Sequence, residues 1–219
     1  MARRDSSGMI LGVREIEEGQ EFREIGLQTS RGETLCRHYK ASGATVAVIM
    51  VGGAGGGWDS PSKNLYPRLA ADLLGSRISS LRVRFRNAHS LPEALHDVRA
   101  GVAFLQNEGC AHVALVGHSF GGAVVIQAAY YERAVKSVIA LATQSYGAGV
   151  ASDLGPRCSI LLIHGSEDPV LPAESSEHVY SLAQEPKQLI IFPGATHNLD
   201  EESEAVFTNV KTYLLEYLD

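Results

Sequence analysis

The stretch VGHSFGG, residues 116–122, decides how the rest of this chain is read. Its serine, Ser119, stands between a histidine and a phenylalanine, with Gly117 and Gly121 two residues away on either side. Upstream, VALVG (113–117) is a short apolar run of the kind that forms a buried strand; downstream, GGAVVIQAA (121–129) reads as a small-residue helix. Ser119 therefore falls at a strand-to-helix corner. A serine at so tight a corner has its Oγ pushed outward, and the positions two residues away need to lack a Cβ. The helix that starts there also aims backbone N–H groups and a positive dipole end at the same point.

Outward from this corner, eight stretches read as strands: 22–29, 34–40, 45–51, 79–85, 113–117, 137–141, 159–164 and 188–192. Most are continuous apolar runs closed by glycine or a polar turn, as expected where both faces of a sheet are covered. The first two, joined by Ser30-Arg31-Gly32-Glu33, form a predicted hairpin. Helical stripes lie between the later runs: Tyr66, Leu69, Ala70, Leu73 and Leu74, then Leu91, Leu95, Val98, Val102 and Leu105, and at the end Val206, Val210, Tyr213, Leu214 and Tyr217. Ser90 followed by Glu93 is a capping-box pattern for the second stripe, whose charges Glu93, Asp97 and Arg99 read as a solvated helix face. Strand and helix alternate from residue 45 onward, which predicts an α/β fold: a mostly parallel, eight-stranded sheet with helices on both faces. Residues 1–18 read as a flexible N-terminal segment and 19–219 as a single domain.

Bulk properties narrow the function. A chain of 219 residues suits one domain that buries about 70% of its unfolded surface. With 45% hydrophobic and 20% charged residues it falls among ordinary globular proteins rather than disordered or fibrous ones. The net charge of −6, with no basic block beyond Arg3-Arg4, argues against nucleic acid, which demands a phosphate-neutralising stripe. The apolar run Met9 to Leu11 is too short for a signal-peptide core or a membrane span, so a cytoplasmic protein with a frayed N-terminus is expected. Cys36, Cys110 and Cys158 are odd in number and lack metal-ligand spacing; they read as small buried residues, with neither disulfide framework nor zinc site.

A serine hydroxyl needs a histidine to remove its proton and a carboxylate to fix that histidine's tautomer, and in this architecture the chain order is serine, acid, histidine. Both partners should follow strand ends, because ligands bind at the carboxyl edge of such sheets. The strand 159–164 runs into HGSEDPVLP (164–172), which nominates Asp168, with Glu167 as fallback. The strand 188–192 runs into Pro193 and GATHN (194–198), which nominates His197 as base. His118 diverges from Ser119 at a sharp corner and reads as structural. His38, His89, His96, His112 and His178 have no partner pattern. A metal bound by His164, Asp168 and His197 would leave the corner unexplained.

GHSFGG, HGSEDPVLP and GATHN, in that order, together with the flanking strand pattern over nearly the whole chain, resemble the α/β-hydrolase family. The resemblance implies a nucleophile elbow at Ser119, an acid loop at Asp168 and a histidine loop at His197, with no cofactor and no metal. It makes His164 a loop-supporting hydrogen-bonder. It also implies an oxyanion hole from the backbone N–H groups of Phe120 and of Ala54, or of Gly55 if the loop is shifted by one. The supporting loop is GGAGGGWDSP (52–61), where Gly52 stands in place of the family's usual histidine. No Gly-Lys-Ser/Thr follows these glycines, and Trp58 occupies the place of a third dinucleotide-loop glycine, so a nucleotide site is disfavoured.

About seventeen residues, 142–158, separate the sixth and seventh strands, too few for the helical lid of many relatives. The expected site is open; Trp58, Tyr66, Tyr146 and Leu171 read either as its walls or as ordinary packing, and Arg86 and Asn87 either as rim groups for a substrate carboxylate or as part of a helix-face salt bridge. These expectations converge on a serine hydrolase for a small-molecule carboxylic ester or thioester; peptide cleavage and perhydrolysis are weaker variants. The alternative is a receptor-like protein of the same fold, non-catalytic or slow to turn over, from which turnover distinguishes it.

Overall fold

The computed structural model describes residues 8–218. In chain order the elements are β1 (Gly12–Glu18), β2 (Arg23–Thr29), β3 (Gly32–Tyr39), β4 (Val46–Val51), α1 (Pro61–Leu74), β5 (Ser79–Val83), α2 (Leu91–Asn107), β6 (His112–His118), α3 (Phe120–Tyr131), β7 (Val135–Leu141), β8 (Ser159–Gly165), α4 (Glu174–Leu182), β9 (Lys187–Phe192) and α5 (Ser203–Tyr217). All nine strands form one sheet in the order β1-β2-β3-β5-β4-β6-β7-β8-β9. From β5 to β9 every pairing is parallel, while β1, β2 and β3 add an antiparallel edge next to β5.

The strand runs form because they have two covered faces. Along β4 and β6, alternate residues point to opposite sides: Ile49 and Leu115 meet α2 and α3, whereas Val48, Met50, Ala114 and Val116 meet α1 and α5. One core layer is built on Val98, Val102 and Leu105 of α2 and Ala123 to Ala129 of α3; the other on Leu65, Leu69 and Leu73 of α1 and Val206, Val210 and Leu214 of α5. The chain leaves β4 toward β5 on one side and returns to β6 on the other. The loops after β4 and β6 therefore face each other at a topological switch point, the place where ligands bind in open α/β sheets.

Several expectations are corrected. The sheet has nine strands, because Gly12–Glu18, within the segment read as flexible, pairs antiparallel with β2; residues 1–7, with the expected fraying and Arg3-Arg4, lie outside the described residues. Ser90 is the N-cap of α2 as predicted, but its side chain makes no capping bond, and Glu93 turns instead to Arg31 and Arg86, each at 2.8 Å. The face carrying Asp97 and Arg99 is not solvated. Asp97 is fully buried, accepting from Thr34 Oγ1 (2.7 Å) and from the backbone N–H (2.9 Å) and Nε (2.5 Å) of Arg86, and Arg99 pairs with the buried Glu132. The helix α4 has no predicted counterpart, since it buries only Ser176 and Val179.

Between β7 and β8 there is no inserted domain. Gly149–Asp153 winds into a short 3-10 helix whose Ala151, with the flanking Ala148 and Leu154, sinks into the α3 side of the core, and Gln127 Nε2 of α3 donates to Gly147 O (2.8 Å). The three cysteines are free and buried. Among the described residues no helix is long and apolar enough to cross a membrane.

Candidate active site

The corner after β6 has the strained backbone that its sequence demands. Ser119 sits at φ 57°, ψ −120°, in the left-handed half of conformational space, and its N–H is held by Leu141 O of β7 (2.8 Å). A Cβ on Gly117 would collide with the backbone of Gly121, and one on Gly121 with the carbonyl of Gly52. Both glycines are thus required by close approach of backbone to backbone.

The loops after β8 and β9 bring the other side chains in. Gly165 ends β8 with no Cβ, and one there would strike Ala195 O, so the acid and histidine loops pack directly on each other. His197 Nδ1 lies 2.7 Å from Asp168 Oδ2, and His197 Nε2 lies 3.0 Å from Ser119 Oγ. An ionised carboxylate only accepts, so Nδ1 carries the proton and Nε2 is free to accept from the serine hydroxyl. Asp168 Oδ1 takes the N–H groups of Val170 (2.8 Å) and Leu171 (2.9 Å). Burial raises the pKa of Asp168, but the bonds from His197, Leu171 and Val170 outweigh it and leave the carboxyl below its ordinary value. Glu167, the fallback acid, is exposed and points its side chain at no partner in this group.

His118 reaches this site after all, from below. Its Nε2 donates to the carbonyl of His197 (2.9 Å), its ring lies 4.8 Å from the His197 ring, and its Nδ1 faces Asp59 Oδ2 at 4.0 Å. Burial pushes the His118 pKa down, and its ring supports the loop that carries His197.

The glycine loop runs beside the serine. A Cβ on Gly53 would lie 3.2 Å from Ser119 Cβ, so Gly53 abuts Ser119, and Ala54 and Gly55 follow it, both exposed. The space that a side chain at Gly52 would need is occupied by Asp59, whose Cβ lies 2.8 Å from an ideal Cβ built there. After the loop, Ser62, Lys63 and Asn64 all adopt left-handed φ of 50–62°. Ser62 N–H donates to Asn198 O (2.7 Å) and Lys63 N–H to Asp200 Oδ1 (2.8 Å), which staples the glycine loop to the histidine loop.

The expected walls fare differently. Leu171 stands in the acid loop, its carbonyl accepting from His164 Nε2 (3.0 Å). Tyr146 is 81% exposed. Trp58 packs against the guanidinium groups of Arg37 (4.2 Å) and Arg82 (5.7 Å), and its carbonyl accepts from Arg82 (2.7 Å), so it anchors the loop. Tyr66 is core, donating to Val51 O (2.8 Å). The Arg86 guanidinium is engaged by Asp97, Glu93 and Arg31 O, leaving it committed to the fold rather than to a rim. Phe120 stacks edge-on against Phe85 (5.8 Å) and begins α3, its backbone next to Ser119. Asp59, the left-handed turn at 62–64 and Ser176 behind Asp168 had no local sequence signal, since each acts through partners far along the chain.

Comparison with known proteins agrees with this architecture. A family model described as "Dienelactone hydrolase family" matches residues 65–213, more than half of the chain. Among solved structures, Est1E from Butyrivibrio proteoclasticus superposes with a TM-score of 0.75 at 18% identity, covering 88% of this chain and 98% of that one. A dienelactone hydrolase from Anabaena variabilis gives 0.75 at 20% identity, covering 91% and 100%. An alpha-beta serine hydrolase homologue from Coxiella burnetii gives 0.74 at 17%, covering 91% and 99%. At these identities the likeness is one of fold. The curated protein YfhR of Escherichia coli is 55% identical over 38 residues, 17% of this chain and only 13% of its own length.

Proposed function

The chain belongs to the dienelactone hydrolase family, and from that premise we propose that it is a serine hydrolase that cleaves a carboxylic ester or thioester through an acyl-enzyme on Ser119. The observation that carries the reading is the unbroken line from Asp168 Oδ2 through His197 (2.7 Å and 3.0 Å) to Ser119 Oγ. His197 Nε2 takes the hydroxyl proton as Oγ attacks the carbonyl carbon, and Asp168 holds the resulting imidazolium. The negative oxygen is received by the N–H groups of Phe120 and Ala54. His197 then returns the proton to the departing alcohol or thiol. Water, deprotonated by the same nitrogen, releases the acid and restores Ser119.

The short segment 142–158 and the exposed Tyr146 favour small esters, or the exposed end of a larger substrate, over a buried lipid chain. Free, buried cysteines suit a cytoplasmic setting. The test is hydrolysis of p-nitrophenyl esters from acetate to long acyl chains by the wild type and Ser119→Ala, with fluorophosphonate labelling alongside. Activity and labelling are expected to vanish together in the variant, with short chains preferred. Neither labelling nor turnover in the wild type overturns the proposal and leaves a ligand-binding protein of this fold.

A further inference from the structure

Asp168 serves two histidines. Besides His197, its Oδ2 faces His164 Nε2 at 3.1 Å, and His164 Nδ1 lies 2.6 Å from Ser176 Oγ. The protons on this second arm are fixed by elimination. His164 Nε2 faces two acceptors, Asp168 Oδ2 and Leu171 O, so it carries the hydrogen; Nδ1 then accepts, and the Ser176 hydroxyl donates to it. His164 and Ser176 are both fully buried, and the Asp168 carboxylate is shielded from solvent. A continuous chain, Ser176–His164–Asp168–His197–Ser119, thus runs from the interior at α4 to the candidate nucleophile.

We propose that His164, with its Nδ1 held by the Ser176 hydroxyl, is a positioning residue that shares the charge of Asp168 and thereby limits how tightly that carboxylate holds a proton on His197. This rests on Ser119 and His197 acting as described above. A buried carboxylate whose charge falls on one neighbour alone stabilises that neighbour's cation most strongly. The His164 N–H dipole on the same oxygen draws off part of that charge and so loosens the hold of Asp168 on the His197 proton. Other titratable groups around the chain are His118, against His197, and Asp59 behind it; Glu167, Glu201 and, flanking Ser176 on α4, Glu174 and Glu177 are exposed.

The test is the rate of fluorophosphonate labelling from pH 5 to 9 in the full chain, which needs no knowledge of the substrate. In His164→Leu the acid limb is expected to move up by about one pH unit, slowing labelling about tenfold below the limb while the alkaline plateau stays within about threefold. His164→Gln, whose amide can still donate to Oδ2, should restore the limb. Ser176→Ala should shift it the same way by less, and it keeps the question answerable if the leucine variant does not fold. A limb unmoved in both His164→Leu and Ser176→Ala overturns the proposal. So does a loss equal at every pH, the mark of a purely structural prop, or a glutamine variant that behaves like leucine. A wild type that never labels overturns both this inference and the serine mechanism; a labelled wild type with unmoved variants overturns this inference alone.

Discussion

Ser119 holds a backbone conformation that costs a side-chain-bearing residue about 1–2 kcal/mol, and the surrounding contacts have to enforce it. Gly117 is the most sensitive of those contacts. In Gly117→Ala the new methyl meets the rigid backbone of Gly121, so we expect destabilisation of about 1–3 kcal/mol, read as a lowered Tm, together with loss of fluorophosphonate labelling. Labelling at the wild-type rate would show that the corner can open without moving Oγ. Ser119, Asp168 and His197 could be nominated from sequence because each follows an apolar strand at the sheet's carboxyl edge. Asp97 could not. Its place in the helix reads like any exposed charge, and only the approach of Thr34 from β3 and Arg86 after β5 turns it into a buried acceptor.

The segment between β4 and α1 shows how an element is held where its own sequence would let it wander. Gly56 and Gly57 both have positive φ, and the anchoring comes from the far end: Trp58 against two arginines, Asp59 in the gap at Gly52, and the left-handed residues 62–64 at the start of α1, bonded to Asn198 and Asp200. Trp58→Leu should loosen the loop and slow labelling by up to about 10²-fold, the cost of one misplaced donor in the proposed oxyanion hole, with little change in Tm. An unchanged rate would mean that the packing of Trp58 on these arginines is irrelevant to the site. Lys63→Gly should relieve left-handed strain while keeping its backbone N–H bond to Asp200, and so raise stability by about 0.5–1 kcal/mol in urea unfolding. These features escaped the sequence because Ser62, Lys63 and Asn64 include no glycine to mark a left-handed turn. Their conformation is imposed by partners on the histidine loop, at the other end of the chain.

At the scale of the whole molecule the parallel layers and the hairpin of β2 and β3 were legible and the outermost strand β1 was not, for one reason. The central strands have two buried faces and advertise themselves as apolar runs, whereas GVREIEE of β1 is exposed almost throughout and leaves no such pattern. The same neighbourhood sets a pH response of the fold. His38 is pushed from 6.5 down to about 4, first by burial and then by Arg23. A depressed histidine stabilises the native state above its unfolded pKa, and that contribution is lost as pH falls from about 6.5 to about 4, because the unfolded chain binds the proton first. His118 and His96 act in the same sense. Tm should therefore decline over that interval, and His38→Gln should flatten the decline; an equal slope in the variant would assign the effect to other groups.

The short span from 142 to 158 has one more consequence. An acyl group carried on Ser119 would stand open to bulk solvent, with no closing element to expel it. The adduct's lifetime is then set by how soon a water molecule meets His197, and an added alcohol or amine can compete only by its concentration. Under the proposed mechanism, a molecule of this shape would release acyl groups to water and be poorly built to hand them on.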